Sequence, residues 1–494
     1  MNGELYNPLT DVIDLEKYTI IENGVTDGEG YVWDTVTILT IIDDVIDDLT
    51  FKIVKNFNDF QAVNNATSDL YIMDNNIDCS EAQTMNETTA DGDYNEGTAY
   101  NFGDVVTWID AEGNIDRYIK NPYTTNYEAG KTPADTDTEG QKYWEEYNYE
   151  GFSINTFSGV FSGNGFELQN CYVNKVSDYA GVFSRLTGGK LSNVGVTGSV
   201  IGYGTDTRVG GLVGYSQSSS IITNSYSTCS VIGYGECVGG LIGYNGSSSS
   251  TTNSYSTGSV IGYGWEVGGL VGTNASSSPT TNSYSTGSVI GYGWGDVGGL
   301  IGYNSSSITN SYSTGSVIGY GECVGGLIGL NSSSITNSYS TGSVIGYSEY
   351  TGGFVGRNAS PIANSYWDTE TSGRSTSQGG VGRTTTQMKD IYNYLPEWDF
   401  SSTWAIDDDY PYLRMQVNRI DDNKDGKLVY NPLTDIIDIN DTVKYPRGQT
   451  TTGSGDTLYV WETVELLTKL DDEIENKTFK IVKDFDDFQA VDNG

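Results

Sequence analysis

The chain has 494 residues, and its 25 Lys plus Arg against 65 Asp plus Glu give a formal net charge of −40. A polyanion of this size is unsuited to nucleic acid or to an anionic membrane surface, and no run of eighteen apolar residues suggests membrane insertion. Histidine is absent, which excludes His-based catalytic triads and His-containing zinc sites, and five Cys are too few for a disulfide scaffold.

Two segments near the start of the chain recur near its end. LYNPLTDVIDL from Leu5 returns as VYNPLTDIIDI from Val429, and TFKIVKNFNDFQAVNN from Thr50 returns as TFKIVKDFDDFQAVDN from Thr478. We interpret the chain as a little more than one period of a longer tandem array, with any signal or anchor elsewhere. Residues 1–50 are then a linker module, and 416–494 are an acidic linker that leads into the next repeat.

Comparison of these two copies predicts some helix in the flanking regions. Every fourth residue changes to Glu or Lys in the second copy: Thr37, Ile41, Val45 and Leu49 become Glu465, Lys469, Glu473 and Lys477. Changes at this spacing fit one helical face with i,i+4 ion pairs, and the unchanged apolar residues fit the other face. We therefore predict a helix from about Val460 to Glu475.

The middle of the chain repeats one unit, which starts with VGGL or a variant of it. The copies begin at Val209, Val238, Val267, Val297, Val324 and, in degenerate form, Thr351. Their length changes fall only in a Ser-rich run and at a tip around GYGWE, so both places are predicted turns. The segments between are short, β-branched and lack a 3.6-residue period, which predicts an all-β fold, a parallel β-helix (β-solenoid).

Stacked coils lie ~4.8 Å apart and place equivalent residues in rows. The predicted tyrosine row is Tyr226, Tyr255, Tyr284, Tyr312, Tyr339 and Tyr366. The predicted asparagine row is Asn224, Asn253, Asn282, Asn310, Asn337 and Asn364. Within one copy, Ile335, Asn337 and Tyr339 are expected to alternate onto one face of a strand.

The repeat VGGLVGYSQSSSIITNSYSTCSVIG resembles the GLUG repeat of large bacterial and archaeal surface proteins. FSGVFSGNGFELQNCYV from Phe157 resembles the segment that leads into such arrays, and Asn364–Arg414 resembles the segment that follows them. The resemblance spans about 51–415 and implies a right-handed parallel β-helix in a secreted, adhesin-like protein. It divides the chain into a leading cap (51–179), GLUG coils (180–363) and a trailing cap (364–415). Some relatives cleave IgA with a separate zinc domain, which a chain without His cannot supply.

The segment DDNKDGKL is the best candidate for a metal site. Asp421, Asn423 and Asp425 occupy alternate positions of an EF-type loop, and Lys427 would offer its carbonyl oxygen to a structural Ca²⁺. The bidentate acid is missing, because its position is Pro432. The alternative is an acidic interdomain turn. We expect no other cofactor.

The tip of nearly every coil carries an acid, namely Glu236, Glu266, Asp296, Glu322 and Glu349. Stacked carboxylates repel, so they either splay into water, which we expect, or share cations. Trp265 and Trp294 at two tips either stack on sugar rings or are simply exposed or packed in the loop. The acids repeat along the array rather than converge on one centre, and residues 209–355 contain no Lys or Arg.

Eight asparagines lie in N-glycosylation sequons: Asn245, Asn274, Asn304, Asn331, Asn65, Asn86, Asn440 and Asn476. The alternative is that Asn followed by Ser simply favours turns. Cys79 and Cys171 can pair if their strands stack, or they remain buried thiols. Cys237 and Cys323 lie three coils apart, too far for a disulfide.

These patterns predict a non-catalytic structural and adhesive module of an extracellular surface protein or filament. Its expected partners are neighbouring identical modules in a homo-oligomer or filament, with glycans or other cells as further candidates. A carbohydrate-binding β-helix is the alternative function, and a polysaccharide-cleaving β-helix is a weaker one. No nucleic acid partner and no direct membrane insertion are expected.

Overall fold

The computed structural model describes residues 5–84, 151–204, 206–406 and 409–416. It also describes the backbone of six further strands, Val105–Ile109, Ile115–Lys120, Trp144–Glu146, Lys444–Thr452, Leu458–Leu470 and Glu473–Lys480. By their contacts the residues divide into two compact units, Met1–Gly382 and Arg383–Gly494.

The larger unit is a solenoid whose coils pass through four sheets, numbered here in the order in which a coil visits them. Sheets 1 and 2 are parallel and contribute one strand to each coil. Sheet 1 consists of Tyr179–Ala180, Arg208–Gly210, Cys237–Gly239, Glu266–Gly268, Asp296–Gly298, Cys323–Gly325 and Tyr350–Gly352. Sheet 2 consists of Ile154–Phe157, Phe183–Thr187, Val213–Gln217, Ile242–Asn245, Val271–Asn274, Ile301–Asn304, Ile328–Asn331 and Val355–Asn358.

Sheet 3 starts as an antiparallel meander and continues as parallel coil strands. Its strands are Ile20–Thr26, Val32–Ile42, Val45–Val54, Leu70–Met73, Val160–Ser162, Lys190–Ser192, Ile221–Thr223, Ser250–Thr252, Thr280–Thr281, Ile308–Thr309, Ile335–Thr336 and Ile362–Ala363. The step from antiparallel to parallel pairing comes between Val45–Val54 and Leu70–Met73. The meander therefore provides the edge on which the solenoid begins.

Sheet 4 holds two short strands from most coils. Its strands are Ile77–Asp78, Glu167–Val176, Gly195–Tyr203, Tyr226–Ser227, Ser230–Gly233, Tyr255–Ser256, Val260–Gly262, Tyr284–Ser285, Val289–Gly291, Tyr312–Ser313, Val317–Gly319, Tyr339–Ser340, Val344–Gly346, Tyr366–Asp368 and Val381–Arg383. The seven strands of sheet 1 correspond to about seven coils. The all-β parallel solenoid is thus confirmed, while its right-handed sense stays an expectation from the crossover rule.

The interior of the coils is filled by rows of apolar side chains. Val238, Val267 and Val297 pair in register from coil to coil in sheet 1, and Leu241 and Leu270 begin a parallel row beside them. All five are at most 1% exposed. One apolar residue per strand suffices because each row is continued by the coils above and below, so the narrow core runs along the axis.

Each coil turns from sheet 3 to sheet 4 at an asparagine with a positive φ. The six predicted row asparagines, Asn224 to Asn364, have φ values of 47–49°, a left-handed conformation that Asn tolerates well. Asn337 therefore lies between the strands Ile335–Thr336 and Tyr339–Ser340, and not on a strand face as the alternation predicted. The positive φ reverses the alternation, so Ser338 between them is also buried.

The predicted helix at Val460–Glu475 is wrong, because these residues form the antiparallel strands Leu458–Leu470 and Glu473–Lys480. Thr463 pairs with Lys480, as Thr35 pairs with Lys52 in the first copy. A spacing of four residues is close to a helical turn, but it is also twice the period of a strand. The substitutions therefore fit one side of each strand equally well.

The smaller unit includes a compact aromatic cluster and the antiparallel pair Trp404–Ala405 and Tyr412–Leu413. Trp398 and Trp404 lie 4.4 Å apart between ring centroids, and Arg414 donates to the carbonyl oxygens of Trp404 and Phe400.

The helices of the described residues are short. Phe57–Ala62 and Thr385–Met388 are α-helical, and Leu15–Lys17, Val63–Asn65, Ser80–Thr84, Ile391–Asn393 and Arg414–Gln416 are 3-10 turns. Within the described part of the chain, no helix has the length and apolar character to span a bilayer.

Candidate functional site

The predicted tyrosine row forms a continuous stack on sheet 4. Ring centroids from Tyr226 through Tyr339 lie 4.7–4.9 Å apart, with planes within 7° of parallel, and Tyr366 continues in register. The ring spacing equals the strand spacing, so the backbone register dictates it. The rings of Tyr255, Tyr284 and Tyr312 have a neighbouring ring on both faces, so they offer no open face on which a sugar could stack.

The predicted asparagine row is connected by amide hydrogen bonds at its middle. Asn282 Nδ2 donates to Asn253 Oδ1, and Asn310 Nδ2 donates to Asn282 Oδ1, each at 3.1 Å. Asn224 instead donates to the carbonyl oxygen of Leu9 at 3.2 Å. The row thus changes partner at its N-terminal end.

The N-terminal segment 6–13 lies along the first turns of this row, which extends to Asn193 and Asn164. Asn193 Nδ2 donates to the carbonyl oxygens of Asp11 at 3.1 Å and Pro8 at 3.3 Å. Asn164 both donates to and accepts from the backbone of Ile13, at 2.9 and 2.7 Å. The corner asparagines therefore bind the backbone of a segment that contains a turn at Pro8–Thr10, a role that the sequence did not predict although YNPLTD was marked by its repetition.

Four of the sequon asparagines form a second, fully buried row at the ends of sheet 2 strands. Asn245, Asn274, Asn304 and Asn331 are 0% exposed. Each donates its Nδ2 to the Oδ1 of the next asparagine, at 2.8–3.1 Å, and Asn331 donates to Asn358. A glycan must leave its amide nitrogen in water, so the structure contradicts glycosylation at these four positions in the folded chain.

The remaining predicted sites are the other four sequon asparagines and the calcium candidates. Asn65 is exposed and stays a candidate for glycosylation, with its amide 3.3 Å from Asp27 Oδ2. Asn86, Asn440 and the calcium candidates Asp421, Asn423, Asp425 and Lys427 lie outside the described residues, and Asn476 is described in its backbone alone.

A second tyrosine row, which the sequence analysis did not separate from the first, runs along the outer side of sheet 4. Tyr203, Tyr234, Tyr263, Tyr292, Tyr320 and Tyr347 stack at 4.9–5.5 Å. Tyr292, Tyr320 and Tyr347 are 47–69% exposed. The repeated GYG string was the signal that could have revealed this row.

Trp265 and Trp294 lie on neighbouring coils at the tips next to this second row. Their side chains are 61% and 85% exposed. Unlike the stacked tyrosines, they present an indole ring largely to solvent, so their ring faces are open to a ligand.

The acids at the tips do not form the single row that the sequence predicted. Strand register places Glu266 against Asp296, with Cys237 and Cys323 on the two outer sides. Glu236, Glu322 and Glu349 each precede this row by one residue. The tip lengths differ, WE against WGD, which hid this alignment in the sequence.

The prediction that the tip acids point into water is correct for only some of them. Glu322 and Glu349 are exposed, but Glu236, Glu266 and Asp296 are half-buried. Burial raises the pKa of Glu266 to about 7, and the neighbouring charges of Glu236 and Asp296 raise it further toward that value. Burial also raises the pKa of Asp296 to about 6, with Glu322 contributing.

One trio at these tips has the donor types of a metal site. A carboxylate oxygen of Glu236, the Sγ of Cys237 and a carboxylate oxygen of Glu266 lie within 4.8 Å of one another. Cys237 Sγ lies 3.6 Å from Glu266 Oε2 and accepts from Thr273 Oγ1 at 3.3 Å. Arg208 already pairs with Glu236 at 2.7 Å, so the charge of this cluster does not by itself require a metal ion.

Comparison with known proteins identifies the coils. The GLUG motif model matches residues 205–232, 234–261, 295–318 and 320–345. No curated protein matches the chain. A solved structure titled "IgA1 Protease" is similar at 16% sequence identity and a TM-score of 0.32, a value too low to support an inference. That alignment covers 70% of this chain and 25% of the other one.

The matched stretches lie within the predicted coil region and do not extend to the two caps. Each of them corresponds to one coil of the four-sheet solenoid. The chain therefore carries four GLUG motifs, at 205–232, 234–261, 295–318 and 320–345, and these motifs lie in coils of a parallel β-solenoid.

Proposed function

We propose that this chain is a rigid structural and adhesive module of a large extracellular surface protein or filament, without catalysis of its own. The observation that carries the proposal is the register of all four sheets, which continues from coil to coil through the repeats from Val209 to Asn358. Stretching the solenoid along its axis separates coils that are joined on every side, and it must break many backbone hydrogen bonds together. Rigidity is the property that this construction supplies.

The side-chain rows add to this stiffness. The buried asparagine row links five consecutive coils through amide hydrogen bonds, and the tyrosine row links the same coils on another side. The net charge of −40 opposes side-by-side packing of identical chains. We infer that neighbouring modules associate end to end, as the duplicated terminal segments suggest, and that the exposed side chains face other cells or surfaces.

Single-molecule force spectroscopy tests the rigid role. The full chain is held between two handles and pulled, and a rigid module should unfold abruptly at a high force, followed by extension of the coils. A variant with a disrupted middle coil, Gly269→Ala, should unfold at clearly lower force. Smooth extension of the wild-type chain at low force would contradict the proposal.

Beads coated with the chain test the adhesive role. They should attach to cells or to one another more than beads coated with an equally acidic unrelated protein. Equal attachment of both bead types would leave only the mechanical part of the proposal standing.

A carbohydrate-binding module is the second candidate, favoured by the exposed Trp265 and Trp294. Their indole faces on neighbouring coils could stack on consecutive sugar rings. A glycan array should then show specific hits that disappear in a Trp265→Ala, Trp294→Ala double variant and persist in Tyr392→Ala, which changes an exposed aromatic outside the coils. An array without specific hits would exclude this function.

A further inference from the structure

Two of the five cysteines lie side by side where the leading cap joins the first coils. Cys79 directly follows the strand Ile77–Asp78, and Cys171 lies in the strand Glu167–Val176. These strands pair in parallel, with Ile77 opposite Leu168. The backbone N–H of Cys79 donates to Gln169 O at 2.7 Å, so the pairing continues to the first cysteine.

A β-bulge brings the second cysteine to the inside of the coil. The register of Glu167–Val176 against Gly195–Tyr203 shifts between Leu168 and Cys171, and Asn170 within the bulge has a φ of 56°. One extra residue reverses the alternation, so Leu168 and Cys171 both point inward. Cys79 is 1% exposed and Cys171 3%.

Both thiols lie inside the coil, where Cys79 Sγ donates to Ile77 O at 3.7 Å and Cys171 Sγ donates to Leu168 O at 3.5 Å. The adjacent Cys79 and burial raise the pKa of the Cys171 thiol, as expected for two thiols side by side. The register carries Cys79 to the level of Asn170, one residue before Cys171. Adjacent strands are ~4.8 Å apart, so the two cysteines lie on neighbouring strands at about the Cα separation that a disulfide spans, about 4.4–6.8 Å. The other three cysteines lack such a partner position among the described residues. Cys237 and Cys323 are separated in their row by Glu266 and Asp296. Cys171 pairs with Gly198 of the following coil, and Cys229 lies one coil further on.

We propose that Cys79 and Cys171 are a cross-linking site, and that they form a disulfide bond when the chain folds in the presence of an oxidant. The bond would fasten the leading cap to the first long strand of the solenoid. It would also close the 91 residues from 80 to 170 into a loop. The extracellular location in the proposed function supplies the oxidising surroundings, but the cross-linking chemistry itself does not depend on it.

The oxidant is a small disulfide such as oxidised glutathione. One cysteine thiolate attacks a sulfur of the glutathione disulfide, which forms a mixed disulfide and releases one glutathione thiolate. The second cysteine then displaces the other glutathione from this mixed disulfide. The two electrons and two protons lost by Cys79 and Cys171 are found in two molecules of reduced glutathione. Because both thiols are buried in the finished fold, exchange takes place before the coils close.

Mass spectrometry of the full chain tests the cross-link directly. The reduced, denatured protein is refolded in a glutathione redox buffer, its remaining thiols are alkylated, and it is digested with trypsin without reduction. We expect peptide 56–117 joined to peptide 143–175, two hydrogens lighter than their sum, with Cys229, Cys237 and Cys323 alkylated. Alkylation of all five cysteines, or a link from Cys171 to Cys229, would overturn the proposal.

The redox dependence of stability provides the second measurement. The oxidised wild-type chain should melt several degrees above the reduced chain, because a cross-link that closes a long loop restricts the unfolded state. A Cys79→Ala, Cys171→Ala double variant should lose this difference, whereas Cys229→Ala, which also removes a buried thiol, should retain it. Equal melting of oxidised and reduced wild-type protein would contradict the structural role. Neither result bears on whether the module is rigid or adhesive.

Discussion

Gly211, Gly240, Gly269, Gly299 and Gly326 occupy the same position in successive coils, where two backbones approach each other closely. A Cβ added to Gly269 would lie 2.1 Å from the carbonyl oxygen of Gly299 and 2.3 Å from Ser285 Oγ. The nearer obstacle is backbone that belongs to the next coil. It cannot shift without breaking the sheet 1 and sheet 2 pairing beside it.

Gly269→Ala should therefore destabilise the chain by about 3 kcal/mol or more, at the upper end of the usual overpacking range. The urea midpoint, followed by circular dichroism, measures this loss. Gly28→Ala is the matched control, because nothing lies within 4 Å of its added Cβ. Similar midpoints for the two variants would show that the coils separate more easily than the structure indicates.

The half-buried Glu266 makes the stability of the coils depend on pH. Its charged and titratable neighbours are Glu236, Asp296, the Cys237 thiol and Arg208. Its pKa is about 7 in the folded chain, above the ordinary value near 4.5. A raised carboxyl pKa means that the folded state binds more protons, so this group favours folding at low pH and loses that advantage as the pH rises from about 4.5 through 7.

Glu266→Gln, which stays neutral, should stabilise the chain at pH 8 relative to the wild type and leave its stability at pH 4.5 nearly unchanged. Urea midpoints at the two pH values measure the difference. Glu349→Gln is a suitable control, since it makes the same substitution at an exposed tip acid. A pH-independent effect of Glu266→Gln would contradict the burial of its carboxyl group.

At the scale of elements, the coil is the unit that can be added or removed. Residues 267–296 run from one Val of sheet 1 to the residue before the next, and both ends occupy equivalent positions in the register. Removing one coil deletes one interface and rejoins equivalent coils, because each coil contacts chiefly its neighbours. A cut that removes half a coil would instead join a strand of sheet 1 to a corner between sheets 3 and 4.

Deletion of 267–296 should leave a cooperatively folded protein of slightly lower stability. Deletion of 267–281 should abolish cooperative unfolding of the coils, because Asn282 would follow Glu266 and the sheets could not continue. Thermal unfolding by circular dichroism and calorimetry distinguishes the two. Similar behaviour of both deletions would show that register does not govern folding.

At the scale of the whole molecule, the N-terminal segment connects residues that are distant in the sequence. Tyr6 is 1% exposed, packs against Phe51 at 6.0 Å and hydrogen-bonds to Ser162. Asn164, Asn193 and Asn224 bind the backbone of the residues that follow it. The segment thereby covers the first coils and fixes the corner asparagines of three of them.

Removal of residues 1–14 should speed amide hydrogen exchange in 160–226 and leave 301–358 unchanged. The first coils lose the peptide that their corner asparagines hold, while the distant coils keep all their partners. Hydrogen exchange with mass spectrometry resolves the two regions. Tyr6→Phe, which keeps the ring and removes one hydrogen bond, should cause a smaller change in the same region. A uniform change along the chain would contradict a local role.

Features that recur in every coil are predictable from the sequence, and features that occur once in the chain are not. The period, the turn positions and the first tyrosine row were predicted correctly, because a stacked coil imposes its own spacing on every copy. The helix at Val460–Glu475 was predicted wrongly, because a four-residue spacing suits a strand as well. For the four asparagines of the buried row the sequence left two alternatives, glycosylation sequons or turn residues, because an Asn before Ser fits both; it gave no sign that their side chains are buried.

The sequence by itself therefore determined that coils stack in register, because identical short strands pair best with their own copies. Only the tertiary structure decided which way each side chain points, since a single positive φ or one bulged residue reverses the alternation between inside and outside. It also decided which distant residues meet. Cys79 with Cys171 and Leu9 with Asn224 come together through coil closure, and coil closure depends on the packed interior as a whole rather than on any local pattern.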